Sequence, residues 1–276
     1  MAFKTGQVTH YERLLEEIKV LAVAQGWILV RDQTNEMDQR EVYLKTVGAS
    51  GQEEYAVAFR TYEDISKDLY NIEVKVNNEV VDTNFEALRG EVGYMYLWSK
   101  EMTYWLSIDK NKIAVGYQVS TSTHFHYFGG LNIYASLGHW FNRYCNFANG
   151  TDRNQNWRWT GANMFTAGGC RKLTKHDGQW MTLTRTLPYQ SEMGQPKPAQ
   201  FPTIGNAECF DIYPAFLKMS DSWVIGIIGE CWDVYYVNGL GAATGDTFTT
   251  ADGRSFVMLQ NHLKTSPTDF IALEMK

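Results

Sequence analysis

The sequence predicts an α+β protein, with an N-terminal helix packed on an antiparallel sheet followed by a β-rich, sandwich-like region. Three observations carry that expectation. A single amphipathic segment of helical period opens the chain, short apolar runs of strand length follow it, and Gly-centred turns punctuate the rest. The 276 residues suffice for one large domain or two modest ones. Aromatics make up 14 % and charged residues 20 %, a composition of a folded chain with much ring surface to bury.

The helix comes first. Thr9-x-x-Glu12 reads as a capping box, in which each side chain satisfies the other's exposed backbone donor. Tyr11, Leu14, Leu15, Ile18, Leu21 and Ala22 then recur at helical spacing, with Glu12, Glu16 and Lys19 on the opposite face. Gly26 supplies the left-handed residue that stops a helix, so the spacing predicts a helix over 10–25. Strands are expected at Trp27–Arg31, Glu41–Val47, Tyr55–Tyr62 and Tyr70–Val76, with Gly48-Ala49-Ser50-Gly51 as a hairpin loop. In the last of these, alternation predicts one covered face and one wet face.

From residue 92 the texture becomes that of a β-rich layer structure, which divides the chain into an α+β region (1–91) and a β-rich region (92–276), or into two parts of one continuous domain. Tyr104–Ile108 and Ile113–Val119 flank a polar turn at 109–112, and Asp252-Gly253 turns Thr247–Thr250 back onto Ser255–Gln260. Gln190–Pro202, with three prolines, is expected to be an exposed loop. Neither an internal repeat nor a low-complexity tract is present.

Charge narrows the function classes. The net charge of −6 argues against a protein that coats nucleic acid, and no nucleic-acid partner is expected. Residues 1–100 hold 11 Lys/Arg against 17 Asp/Glu, whereas 101–276 hold 14 of each, so the acidic excess lies in the first hundred. An acidic region of this kind suits docking to a basic neighbour. No apolar run is long enough for a membrane span, and Met1–Gly6 lacks the start of a signal peptide. Cys145, Cys170, Cys209 and Cys231 lie far apart with no C-x-x-C pair, the pattern of reduced thiols made in a cytoplasm. Without a secretory signal, the sequon Asn149-Gly150-Thr151 is a chance match.

Thirty consecutive residues between Lys112 and Arg143 contain no Asp, Glu, Lys or Arg. They include Tyr117, Phe125, Tyr127, Phe128, Tyr134, Trp140 and Phe141. Two readings fit. The run is an interior β segment, or part of it is an interface core, where charge is depleted and aromatics are enriched. Residues 113–142 are accordingly the expected contact region between subunits.

Chemistry-bearing motifs are few. His124-x-His126 would place two rings on one strand face with His139 nearby, but no carboxylate lies within thirteen residues of the pair, so stacked or hydrogen-bonded histidines are expected and no metal. His176-Asp177-Gly178 reads as a turn. Glu230 and Asp233 flank Cys231-Trp232, where a strand-end structural pair outweighs a hydrolytic pair. Phosphate-loop, nucleophile-elbow and zinc-protease motifs are absent, and Gly239-x-Gly241 with Gly245 has the wrong spacing for a dinucleotide site. No cofactor and no catalytic residue is therefore expected. Trp157-Arg158-Trp159, among Asn154, Gln155, Asn156 and Asn163, has the composition of either a glycan-stacking surface or a protein hot spot.

Several anchors resemble one family. The helix ending at Gly26-Trp27, then Arg60-Thr61-Tyr62 and Leu97-Trp98-Ser99-Lys100-Glu101-Met102-Thr103-Tyr104-Trp105, are similar to a family of tailed-bacteriophage virion structural proteins. Asp233–Val237, Phe256–Asn261 and Ala272-Leu273 extend the resemblance towards the C-terminus, leaving roughly 140–225 without anchors. The resemblance implies a non-enzymatic component of the virion, built in the host cytoplasm and placed in the tail or baseplate. Its implied partners are copies of itself and other tail proteins. A neck or tail-terminator position is an alternative, as is a receptor-binding tip that takes a host-surface glycan on Trp157 and Trp159.

Overall fold

The computed structural model describes residues 1–77, 81–134, 144–148, 150, 152–159, 170–174, 180–182, 185–187, 212–221, 224–237, 239, 241–260 and 270–276, with backbone alone for 144–148, 170–187 and 212–228. β1 (Ala2–Val8) leads into α1 (Tyr11–Ala24), then β2 (Ile28–Thr34), β3 (Arg40–Thr46), β4 (Tyr55–Asp64), β5 (Leu69–Asn77) and β6 (Gly93–Leu97). Next come β7 (Met102–Ile108), β8 (Lys112–Val119), β9 (Ser122–Gly130), β10 (Asn132–Ile133), β11 (Tyr144–Ala148), β12 (Cys170–Thr174) and β13 (Trp180–Thr182). The last are β14 (Arg185–Leu187), β15 (Ile212–Asp221), β16 (Val224–Val237), β17 (Thr247–Thr249), β18 (Ser255–Gln260) and β19 (Phe270–Glu274).

Among the described residues these strands form three antiparallel sheets. The first runs β2-β3-β4-β5-β6, the second β1-β7-β8-β9-β11-β12-β13, and the third β14-β15-β16-β19-β18-β17 with β10 on β16. The second sheet is the middle layer. Its Leu106, Ile113, Val115, Tyr117 and Phe128 pack with α1 and with Leu44, Val57, Phe59, Ile72 and Val74 of the first sheet. Its Trp105, Ala114, Phe125 and Tyr127 face Val234, Tyr236, Val257, Leu259 and Leu273 of the third. A sheet covered on both faces has no position for an unpaired charge, which is why β8 and β9 read as an uncharged run. The chain is thus α+β with a β-rich remainder. Residues on both sides of position 92 share its layers, since β6 completes the first sheet and β1 pairs with β7 in the second.

Local physics accounts for the details. α1 begins one residue later than predicted, because β1 runs to Val8 and leaves Thr9 in the turn. The N-cap is His10, whose ring accepts from the Glu12 backbone N–H at 3.5 Å, so the Thr9–Glu12 box does not form. Gly26 stops the helix at φ +92°, a conformation that penalises any side chain. Gly129 is bound more tightly still. At φ +124°, a Cβ there would lie 2.9 Å from the Lys112 Cα.

The wet face expected for β5 is covered. Asn71, Glu73 and Lys75 are buried beside Glu41 and Arg60 on the outer side of the first sheet. Two segments lie over them. Along 81–92, Phe85 sits under the Arg60 guanidinium (4.3 Å) and the Lys75 ammonium (4.9 Å), and Lys75 donates to the carbonyls of Phe85 and Leu88 at 2.9 and 2.8 Å. Along 152–156, the Asn71 amide donates to the carbonyls of Arg153 and Gln155, and Arg153 lies over the Tyr62 ring at 3.8 Å. Arg60 binds both Glu73 and Glu86, so the buried charges are paired rather than wet.

Candidate interaction surface

The ring-bearing residues proposed for subunit contact divide by burial. Tyr117, Phe125, Tyr127 and Phe128 lie in the chain's own core, on β8 and β9 of the middle sheet. They cannot meet a partner while the chain is folded, and a carboxylate at position 125 would enter the core instead of testing an interface. Tyr134 reaches the surface at 51 % exposure, its hydroxyl donating to Glu230 at 2.6 Å. Trp140 and Phe141 lie outside the described residues, as do His139, His176-Asp177 and the 190–202 segment.

The two histidines do share a face, as strand alternation requires. Both rings stack on Tyr117, at interplanar angles of 22° for His124 and 10° for His126. The Tyr117 hydroxyl donates its one proton to the Tyr96 carbonyl at 2.9 Å, so His126 Nε2, 3.0 Å away, must carry the hydrogen of that contact. Burial pushes the His126 pKa down to about 3. Among the described residues no three His, Cys, Asp or Glu side chains are grouped as metal ligands.

Glu230 and Asp233 turn to different partners. Glu230 accepts from Asn132 at 2.8 Å and from Tyr134. Asp233, in the left-handed region at φ 59°, binds the fully buried Lys112 at 3.0 Å and Lys276 at 3.2 Å. Burial favours the neutral form of this carboxyl, but Lys112 and Lys276 outweigh it and hold the pKa below the usual carboxylate range. Lys112 also donates to Ser107 Oγ at 2.9 Å. A serine beside a lysine suggests a nucleophile and its base, yet this ammonium is anchored by a carboxylate and both residues are wholly buried. Cys231 is a buried free thiol whose pKa burial raises. The Lys112–Asp233 pair left no signal in the sequence, since its members stand 121 residues apart.

Trp157 is 9 % exposed. Trp98 covers it at 5.1 Å between centroids, and the Arg158 guanidinium lies over the ring at 4.2 Å. These contacts and the burial leave little ring face for a sugar. Trp159, half-buried, meets Tyr96 edge-on at 5.6 Å. Trp157→Ala is expected to lower stability by about 3–5 kcal/mol, as for other large core truncations. Urea unfolding will show this as a drop in midpoint larger than that of Trp159→Ala.

One surface remains unspent. β2 ends the first sheet, with no strand beyond it among the described residues. Asp32 shows what is open there. Its side chain is only 23 % exposed, yet the residue as a whole is exposed, so the accessible part is the backbone of the edge. α1 lies along this strand, tied to it by Lys19–Asp32 (2.7 Å), Lys19–Glu16 (2.8 Å) and a two-pronged Arg40–Asp32 contact (2.9 Å each). Val23, one turn beyond Lys19, is on the same helix face. Val20, Val23, Ile28, Leu29 and Val47 are exposed along α1, β2 and the end of β3. Periodicity had assigned these residues no role, because exposure at a sheet edge is set by which strands pair. No family model matches the chain, and no curated protein sequence does either. No helix among the described residues is long and apolar enough to cross a membrane.

Proposed function

We propose that the chain is a non-enzymatic structural subunit of a tailed-phage virion, placed in the tail or baseplate, that works by docking to other subunits. The family resemblance supports the virion role. The observation that carries the docking role is the α1–β2 edge, where exposed aliphatic side chains flank an open strand backbone. The acidic excess of the first hundred residues supports it further, since Glu36, Asp38 and Glu63 are exposed beyond the ends of β2 and β4, where they can steer a basic neighbour. The test is co-sedimentation with purified tailed particles, read by mass spectrometry of the particle band. The wild-type chain is expected in that band, and Val23→Glu, folded by circular dichroism, is expected to be depleted from it. Absence of the wild-type chain from particles overturns the reading.

A further inference from the structure

We propose that the β2 edge pairs antiparallel with the β2 edge of a second copy, across a two-fold axis at Leu29. The inference rests on reading this edge as an interface and names its occupant. Register places apolar side chains on both faces of the edge at one level. Leu29 pairs with Leu44, whose side chain faces the inner core, so Leu29 points to the helix side, towards Val23. Ile28 pairs with Lys45 and shares the outer face with Val47, two residues on. A two-fold axis through Leu29 therefore brings aliphatic side chains together above and below the joined sheet. An isologous contact of this kind is self-complementary by construction.

Charge favours this register over its neighbours. Sliding the axis to Arg31 would oppose two guanidinium groups directly, and like charges facing across strands destabilise the pair. With the axis at Leu29, Gly26 of one copy stands opposite Asp32 of the other. The Lys110 side chain lies against Gly26, 3.1 Å from where a Cβ would be. Each Asp32 thus comes up beside a lysine of the other copy, and symmetry repeats the contact. The one-residue irregularity between Leu29 and Arg31 twists the edge at the end of the apolar run, which confines pairing to that run.

The test is a single cysteine on the axis. Directly opposed antiparallel residues have Cα atoms about 4.5–5.5 Å apart, inside the range a disulfide spans. Leu29→Cys is expected to give an oxidised, reducible dimer. Gln33→Cys is expected to give none, because its two copies would lie about 27 Å apart along the strands. The wild-type chain controls for the native thiols. Sedimentation equilibrium adds a measurement independent of oxidation, with a dimer expected for the wild type and a monomer for folded Val23→Glu. A wild-type monomer at all concentrations overturns the pairing, and so does cross-linking at 33 without cross-linking at 29. Particles that contain the chain without the Leu29→Cys cross-link sink this inference alone. A cross-linked dimer that never joins a particle sinks the virion reading alone.

Discussion

Asp233→Asn is expected to destabilise the protein by about 3–5 kcal/mol, because it leaves the Lys112 ammonium buried with no counter-charge. Asparagine is the right probe, since it tolerates the left-handed backbone at φ 59° and removes little beyond the charge. Ser107 and the Met1 thioether remain near the ammonium, but neither is charged. The reverse change, Lys112→Met, is expected to cost much less. It replaces the buried cation with an apolar chain of similar length, and Asp233 keeps Lys276. The double variant should recover most of what Asp233→Asn loses, and a double-mutant cycle from urea midpoints measures the coupling. Equal losses in the two single variants would show that the pair does not act through charge. Because whole domains are stable by only about 5–15 kcal/mol, the first variant is also expected to accumulate poorly at growth temperature.

Acid is expected to weaken the fold well before the carboxylates titrate. His126 is neutral in the folded state down to a pKa of about 3, while in the unfolded chain it takes a proton near 6.5. The unfolded state therefore binds more protons between those values. Stability is fully present above pH 6.5, declines as pH falls towards 3, and levels off below that. The limiting slope is about 1.4 kcal/mol per pH unit, giving a loss of at most about 5 kcal/mol over the window. Asp32, Glu16 and Asp233 have pKa values held below their usual range, so their contribution is lost only at lower pH. Urea midpoints between pH 7 and 4.5 isolate the histidine. His126→Gln is expected to be less stable at neutral pH and to show a shallower slope across that interval. An unchanged slope would mean that another group titrates there.

What the sequence made legible was whatever depended on neighbours along the chain. Helical spacing and Gly26 located α1 to within a residue, and the runs at Glu41, Tyr55, Tyr70, Tyr104 and Ile113 became β3, β4, β5, β7 and β8 with small shifts at their ends. β1 was invisible because Ala2-Phe3-Lys4-Thr5-Gly6-Gln7-Val8 has little strand propensity. It is a strand because β7, a hundred residues away, offers it a ladder. The polar face of β5 suggested solvent, since nothing local announces that Phe85 and Arg153 will fold over it. The uncharged run from 113 announced burial without saying whose atoms would cover it. For Tyr117, Phe125, Tyr127 and Phe128 the cover is the chain itself. The α1–β2 edge went unread for the converse reason, as aliphatic residues at helix and strand spacing look internal until the sheet order shows which strand is last.

The middle sheet has a mechanical consequence. Load applied to either flank must pass through β7, β8 and β9, which are gripped on both sides, so neither outer sheet can peel away without shearing the ladder they share. A body built this way yields all at once instead of unzipping by layers, and it holds its outline under a pull until it fails.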